Sequence, residues 1–133
     1  MTPYFADTFY YVALLNRDDA NHGAAVALSQ ELRGDQVTTA WVLTEVADAM
    51  AAPKQRGRFL TLLTRLRANP RVTIVPASQD LFEAGRGIYA QTRDKNWTLT
   101  DCISFRVMRQ HDIAEALTGD HHFEQAGFVA LLR

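Results

Sequence analysis

With 133 residues, 47% of them hydrophobic and 22% charged, the chain is long enough for one domain with its own core and too apolar to be disordered. A formal net charge of −1 gives no whole-molecule basic signature, and no apolar run approaches the length of a membrane span. The single cysteine, Cys102, excludes an internal disulfide and, with an N-terminal stretch unlike a secretion signal, sets the expectation of a cytoplasmic protein.

Tyr4-Phe5-Ala6 reads as a first strand ended by Asp7. Thr8 to Asn16 follows as a helix, with Phe9, Val12 and Ala13 spaced for one buried face. Arg17-Asp18-Asp19 makes a polar turn, and a second helix runs from about Ala20 to Arg33, with Gly34 as its stop. Val37-Thr38-Thr39 is a short β-branched strand; the helix after it, from about Trp41 to Ala51, is closed by Pro53. Between Gln55 and Ala68, Phe59, Leu62, Leu63 and Leu66 form an i, i+3, i+4, i+7 stripe. Val72 to Val75 is the clearest strand, and Ser78 caps a helix reaching about Thr92, with Leu81, Ile88 and either Phe82 or Tyr89 inward. The loop Arg93 to Leu99 leads to Thr100, the expected N-cap of a helix from Asp101 to Gln110. Ile113 to Leu117 is a fourth strand, ended by Thr118-Gly119-Asp120. A helical turn from His121 to Ala126 and a strand from Phe128 to Leu131 complete the chain.

This alternation predicts an α/β fold in which helices cover both faces of a mostly parallel sheet, within a single domain spanning residues 1–133. Sites in such sheets lie at the carboxyl ends of the strands. Asp7 and Asp120 each follow a strand there, Asp101 opens a helix, and Glu45 lies one turn into the helix after the second strand. Each has an ordinary reading alone: helix starts for Asp7 and Asp101, an exposed helix position for Glu45, a turn beside Gly119 for Asp120. Together the four can converge on one sheet edge, where mutual repulsion calls for a cation. Oxygen donors select a hard divalent ion, Mg²⁺ or Mn²⁺, which activates water and stabilises charge on a phosphodiester. The chain has no nucleophile elbow, no Gly-rich phosphate loop and no paired-cysteine zinc pattern.

Ala51 to Gln79 contains no Asp or Glu but carries Lys54, Arg56, Arg58, Arg65, Arg67 and Arg71. This is either a solvated helix face or a surface that holds RNA phosphates, with Arg56 and Arg58 as the test residues. His121-His122 beside Asp120 offers a zinc-ligand or general-base role but reads more simply as a surface pair, Cys102 reads as a core residue, and Phe9, Tyr10 and Tyr11 as filling the core or a subunit interface. Trp41 and Trp97 offer rings that can stack on bases, although burial or a dimer contact is the ordinary role for Trp41.

Asn96-Trp97-Thr98-Leu99-Thr100-Asp101-Cys102-Ile103-Ser104-Phe105, followed by Met108, resembles the third-acid motif of PIN domains. Ala116-Leu117-Thr118-Gly119-Asp120-His121-His122-Phe123 with Gly127-Phe128 is similar to the fourth-acid motif, while Ala6-Asp7-Thr8 and Thr44-Glu45 resemble the first and second. The likeness spans essentially the whole chain, in order, and single-domain chains of this length resemble the VapC toxins of toxin–antitoxin pairs. The resemblance implies a three-layer α/β/α sandwich and Mg²⁺- or Mn²⁺-dependent RNA cleavage by a metal-activated water. It implies Asp7, Glu45, Asp101 and Asp120 as catalytic, metal-binding acids, Thr8 as the hydroxyl beside the first acid, and Ser104 where many relatives carry another acid or a hydroxyl. It also implies a homodimer and a small antitoxin partner.

Three other readings compete. A PIN-like module that binds RNA or protein without cutting keeps the fold and loses the chemistry, and a DNA nuclease keeps both. A response-regulator receiver has similar alternation, but Val75 is followed by Pro76-Ala77-Ser78 rather than an Asp, and no Lys follows Leu117.

Overall fold

Five short strands alternate with seven helices over residues 3–133, the part of the chain that the computed structural model describes. The strands are β1 (Tyr4–Ala6), β2 (Gln36–Thr39), β3 (Val72–Val75), β4 (Glu115–Leu117) and β5 (Val129–Ala130). The helices are α1 (Thr8–Leu15), α2 (His22–Glu31), α3 (Ala40–Ala49), α4 (Arg56–Ala68), α5 (Gln79–Gln91), α6 (Leu99–Gln110) and α7 (His121–Gln125). All strand pairs are parallel and the spatial order is β3-β2-β1-β4-β5, giving the α/β sandwich expected from the alternation.

The chain builds outward from β1 through β2 to β3, then crosses back to lay β4 on the other side of β1. The strand order therefore reverses at β1 and β4, where Phe5 pairs with Ala116 and Ala6 with Leu117. Loops leaving two such strands diverge to opposite faces and open a crevice at their carboxyl ends. Phe5, Ala6, Ala116 and Leu117 are fully buried, so this seam runs through the core. Phe105 and Phe123 close the core from α6 and α7, edge to face at 5.0 Å. A Cβ at Gly85 would run into the side chain of Ile103, so α5 lies directly on α6.

Four local expectations are corrected. In α1 the buried residues are Tyr10, Tyr11 and Ala13 rather than Phe9, Val12 and Ala13. That helix packs against both α2 and α3, which widens its buried surface beyond one stripe and leaves Phe9 to turn toward the strand ends. Helix α2 ends at Glu31 because Leu32 is extended, so Gly34 is not its left-handed stop. The glycine that needs its freedom is Gly127, at φ +96° between α7 and β5. Thr98, not Thr100, caps α6: its hydroxyl accepts from the Asp101 amide at 3.0 Å, while Asp101 Oδ2 accepts from the Thr98 amide at 3.1 Å. This reciprocal capping box satisfies two otherwise orphaned amides, an advantage that Thr100 lacks. β4 and β5 are also shorter than expected, because β4 starts at Glu115 and β5 is only Val129–Ala130.

Candidate active site

The crevice at the β1–β4 seam is the place where acids from four chain segments meet. Asp7, Thr8, Phe9, Glu45, Thr98, Asp101, Asp120 and His122 line a single cleft. Asp7 leaves β1 with its amide donating to the Leu117 carbonyl at 3.3 Å, which ties the first acid to the end of β4. Its side chain occupies the N-cap position of α1 but makes no capping bond. Instead the buried Thr118 hydroxyl donates to Asp7 Oδ2 at 2.8 Å and accepts from the Asp120 amide at 3.1 Å. One hydroxyl thus links the loops that carry the first and fourth acids.

Asp120 caps α7 by accepting from the His122 amide at 2.9 Å. His122 then turns inward, with Nδ1 3.0 Å from Asp101 Oδ2 and 3.4 Å from Asp120 Oδ1. With Nδ1 protonated, the ring donates to the Asp101 carboxylate and holds it beside Asp120. On the other wall, the Thr8 hydroxyl donates to Glu45 Oε1 at 2.6 Å, fixing the glutamate that α3 presents.

These carboxylates sit in a strained electrostatic balance. Asp7, 5% exposed, has its pKa raised to about 7, mainly by burial, and the charges of Asp101 and Asp120 push in the same direction. The hydroxyl of Thr118 and the amide of Thr8 only partly offset this. Asp101 is also raised, chiefly by burial, against the stabilising amide of Thr98 and the ring of His122. No Lys or Arg lines the cleft. Two buried and two half-buried carboxylates without a Lys or Arg among them form the kind of oxygen-donor set that Mg²⁺ or Mn²⁺ fits.

Asp7, Glu45, Asp101, Asp120 and Thr8 are therefore brought together, and three other expected site residues are not. Ser104 is fully buried in α6 with its hydroxyl unpaired, so it presents no surface to RNA. Arg56 is exposed and its Nε donates to the Ala51 carbonyl at 2.6 Å. Arg58 donates to the Leu15 carbonyl at 3.3 Å, a full helix length along α1 from Thr8. Arg71 pairs with Asp35 at 3.2 Å where β2 and β3 begin, at the edge opposite the acids.

Thr98, Thr118 and His122 enter the site although the sequence assigns them no separate role there, and His122 corrects the expectation of a surface histidine pair. The Thr-x-x-Asp spacing of a capping box was a readable signal for Thr98. His121 and His122 look alike in sequence, but successive helix residues point about 100° apart: His121 is largely exposed, its Nδ1 3.8 Å from Asp120 Oδ1, whereas His122 turns into the cleft toward Asp101. Thr118 stands within the fourth-acid stretch, but its bond to Asp7 is not readable there, because the partner lies 111 positions away.

The PIN domain family model matches residues 4–129. The 23S rRNA-specific endonuclease VapC20 of Mycobacterium tuberculosis is 29% identical over 125 residues, covering 94% of this chain and 95% of VapC20. The crystal structure of M. tuberculosis VapC20, a sarcin–ricin-loop-cleaving toxin, superposes with a TM-score of 0.86 at 27% identity, over 95% of this chain and 96% of that one. FitAcB from Neisseria gonorrhoeae superposes at TM-score 0.65 and 21% identity, over 96% of this chain and 94% of that one, a likeness of fold.

Proposed function

This chain belongs to the PIN-domain family, and from that premise we propose that it is a Mg²⁺- or Mn²⁺-dependent endoribonuclease, the toxin of a type II toxin–antitoxin pair. The observation that carries this reading is the convergence of Asp7, Glu45, Asp101 and Asp120 on one cleft at the β1–β4 seam. Likeness to VapC20 along nearly its whole length supports RNA as the substrate. Asp7, Asp101 and Asp120 would hold the ion, with Glu45 as a further ligand or as the base that orients water.

Held by Asp7, Asp101 and Asp120, a divalent ion would supply charge neutralisation for the scissile phosphate and a lowered pKa for the attacking water. The protein's own share is arrangement. Thr118 fixes the Asp7 carboxylate and His122 fixes that of Asp101, so that little reorganisation of these side chains would be needed on cation binding. Asp7, protonated in part at neutral pH when no cation is near, releases its proton on binding. Glu45 Oε1 already accepts from Thr8, which leaves Oε2 to accept a proton from water in the cleft.

Residues 1–133 act, in this reading, as a single nuclease domain in the cytoplasm, assembled as a homodimer and restrained by a small antitoxin. Cleavage of a labelled 23S rRNA sarcin–ricin hairpin by purified protein, in Mn²⁺, Mg²⁺ or chelator, tests the proposal beside Asp7→Asn and Asp101→Asn. Metal-dependent cutting lost in both variants is the expected result. Failure to cut any RNA would move the chain to a binding module, and cutting that survives both substitutions would point to a contaminant.

A further inference from the structure

Carboxylates that gather a cation also repel an RNA backbone, and the acid cleft contains no Lys or Arg to offset this. Helices α5 and α6 pack against each other through the short connection at residues 92–98, so the last turn of α5 and the first turn of α6 share the end of the molecule where Asp101 enters the site. That connection forms a second, polar cleft lined by Tyr89, Thr92, Arg93, Lys95, Asn96 and Trp97. Trp97 is bonded directly to Thr98, a wall of the acid cleft, so the two clefts are contiguous along the chain.

The second cleft has the components that single-stranded nucleic acid requires. Trp97 is held as a rigid platform: its indole N–H donates to Gln125 Oε1 at 2.9 Å and its ring meets Phe105 edge-on at 5.0 Å. Tyr89 is 53% exposed. Arg93 donates from Nε to the Ala90 carbonyl at 3.3 Å and has no carboxylate partner among the described residues. Lys95 contacts its neighbour Asp94 at 2.9 Å. Asp94 is 74% exposed, and a solvated pair of this kind is readily exchanged for a phosphate.

We propose that the α5–α6 turn is a nucleotide subsite of the nuclease, where a nucleotide flanking the cleaved phosphate stacks its base on Trp97 and Tyr89 and places its phosphate on Arg93 and Lys95. The subsite rests on the nuclease reading for its purpose, but not for its binding chemistry. It supplies the cationic charge missing from the acid cleft and gives preference to RNA with unpaired bases beside the cut.

The test combines a binding and a kinetic readout. Trp41→Phe leaves Trp97 as the sole tryptophan of the two in the sequence. Its fluorescence should be quenched on titration with a single-stranded RNA octamer in EDTA. Arg93→Glu/Lys95→Glu should raise KM for Mn²⁺-dependent cleavage of that octamer about tenfold with kcat held within about twofold, the pattern of lost binding rather than lost chemistry. The slope of log affinity against log salt should fall by about 0.7, the value for one phosphate contact on a single strand. Cleavage with unchanged KM and salt slope in the double variant, and no quenching, would overturn the subsite while leaving the nuclease intact. Quenching by RNA without any cleavage by the wild type would sustain the subsite and sink the nuclease reading. A loss seen instead with Arg56→Glu/Arg58→Glu would move the RNA path to α4 and refute the inference.

Discussion

Asp7→Asn should make the metal-free protein more stable at neutral pH and, at the same time, remove its stabilisation by Mn²⁺. Asp7 is 5% exposed and its pKa rises from 3.8 to about 7 on folding, so the folded chain holds more protons than the unfolded chain between those values. Stability rises with pH only where the unfolded state binds more protons, so here it falls: the contribution of Asp7 is intact below about pH 4 and is lost as pH climbs through 7. Roughly 3 units at 1.36 kcal/mol each put the cost of ionised Asp7 at about 4 kcal/mol. An amide keeps the acceptor for Thr118 but still buries a polar group, so about 2–4 kcal/mol should be recovered at pH 8 and almost none at pH 4. Mn²⁺ at about one hundred times its Kd should add about 2.7 kcal/mol to the wild type and little to the variant. Urea unfolding at pH 4, 6 and 8, in EDTA and in MnCl₂, measures all of this. An Asp7→Asn protein no more stable than wild type at pH 8 in EDTA would refute the argument that burial without a cation strains this carboxylate, and an equal gain at every pH would show that ionisation is not its source.

Other residues give separate handles on the same cleft. Thr118→Val removes the hydroxyl shared by Asp7 and the Asp120 amide and should cost about 1–3 kcal/mol in urea melts, with Mn²⁺ affinity falling alongside. His122→Ala frees the Asp101 carboxylate, and calorimetry should show Mn²⁺ bound about tenfold more weakly with little change in melting temperature. Wild-type affinity in that variant would mean that the capping box alone sets Asp101. Gly119→Ala places a methyl 2.5 Å from the Phe9 ring, which lines the cleft, so it should destabilise by about 1–3 kcal/mol and reduce cleavage even though no acid is touched.

The alternating pattern of strands and helices was legible in the sequence because local periodicity and breakers encode it. Val72–Val75 stands between prolines, Ser78 caps α5 as its position suggested, and Asp7 and Asp120 could be placed at strand ends before any contact was known. The family likeness then singled out four acids whose separate roles were ambiguous. Tertiary structure decided what those acids are next to. The order β3-β2-β1-β4-β5 sets the β1 and β4 loops face to face, and only that adjacency lets Thr118 reach Asp7 across 111 positions. It also turned His122 inward and His121 outward, buried the Ser104 hydroxyl, and carried Arg58 and Arg71 away from the cleft. A side chain's local sequence selects its helix or strand, whereas its partner depends on which elements pack together, a property of the whole chain.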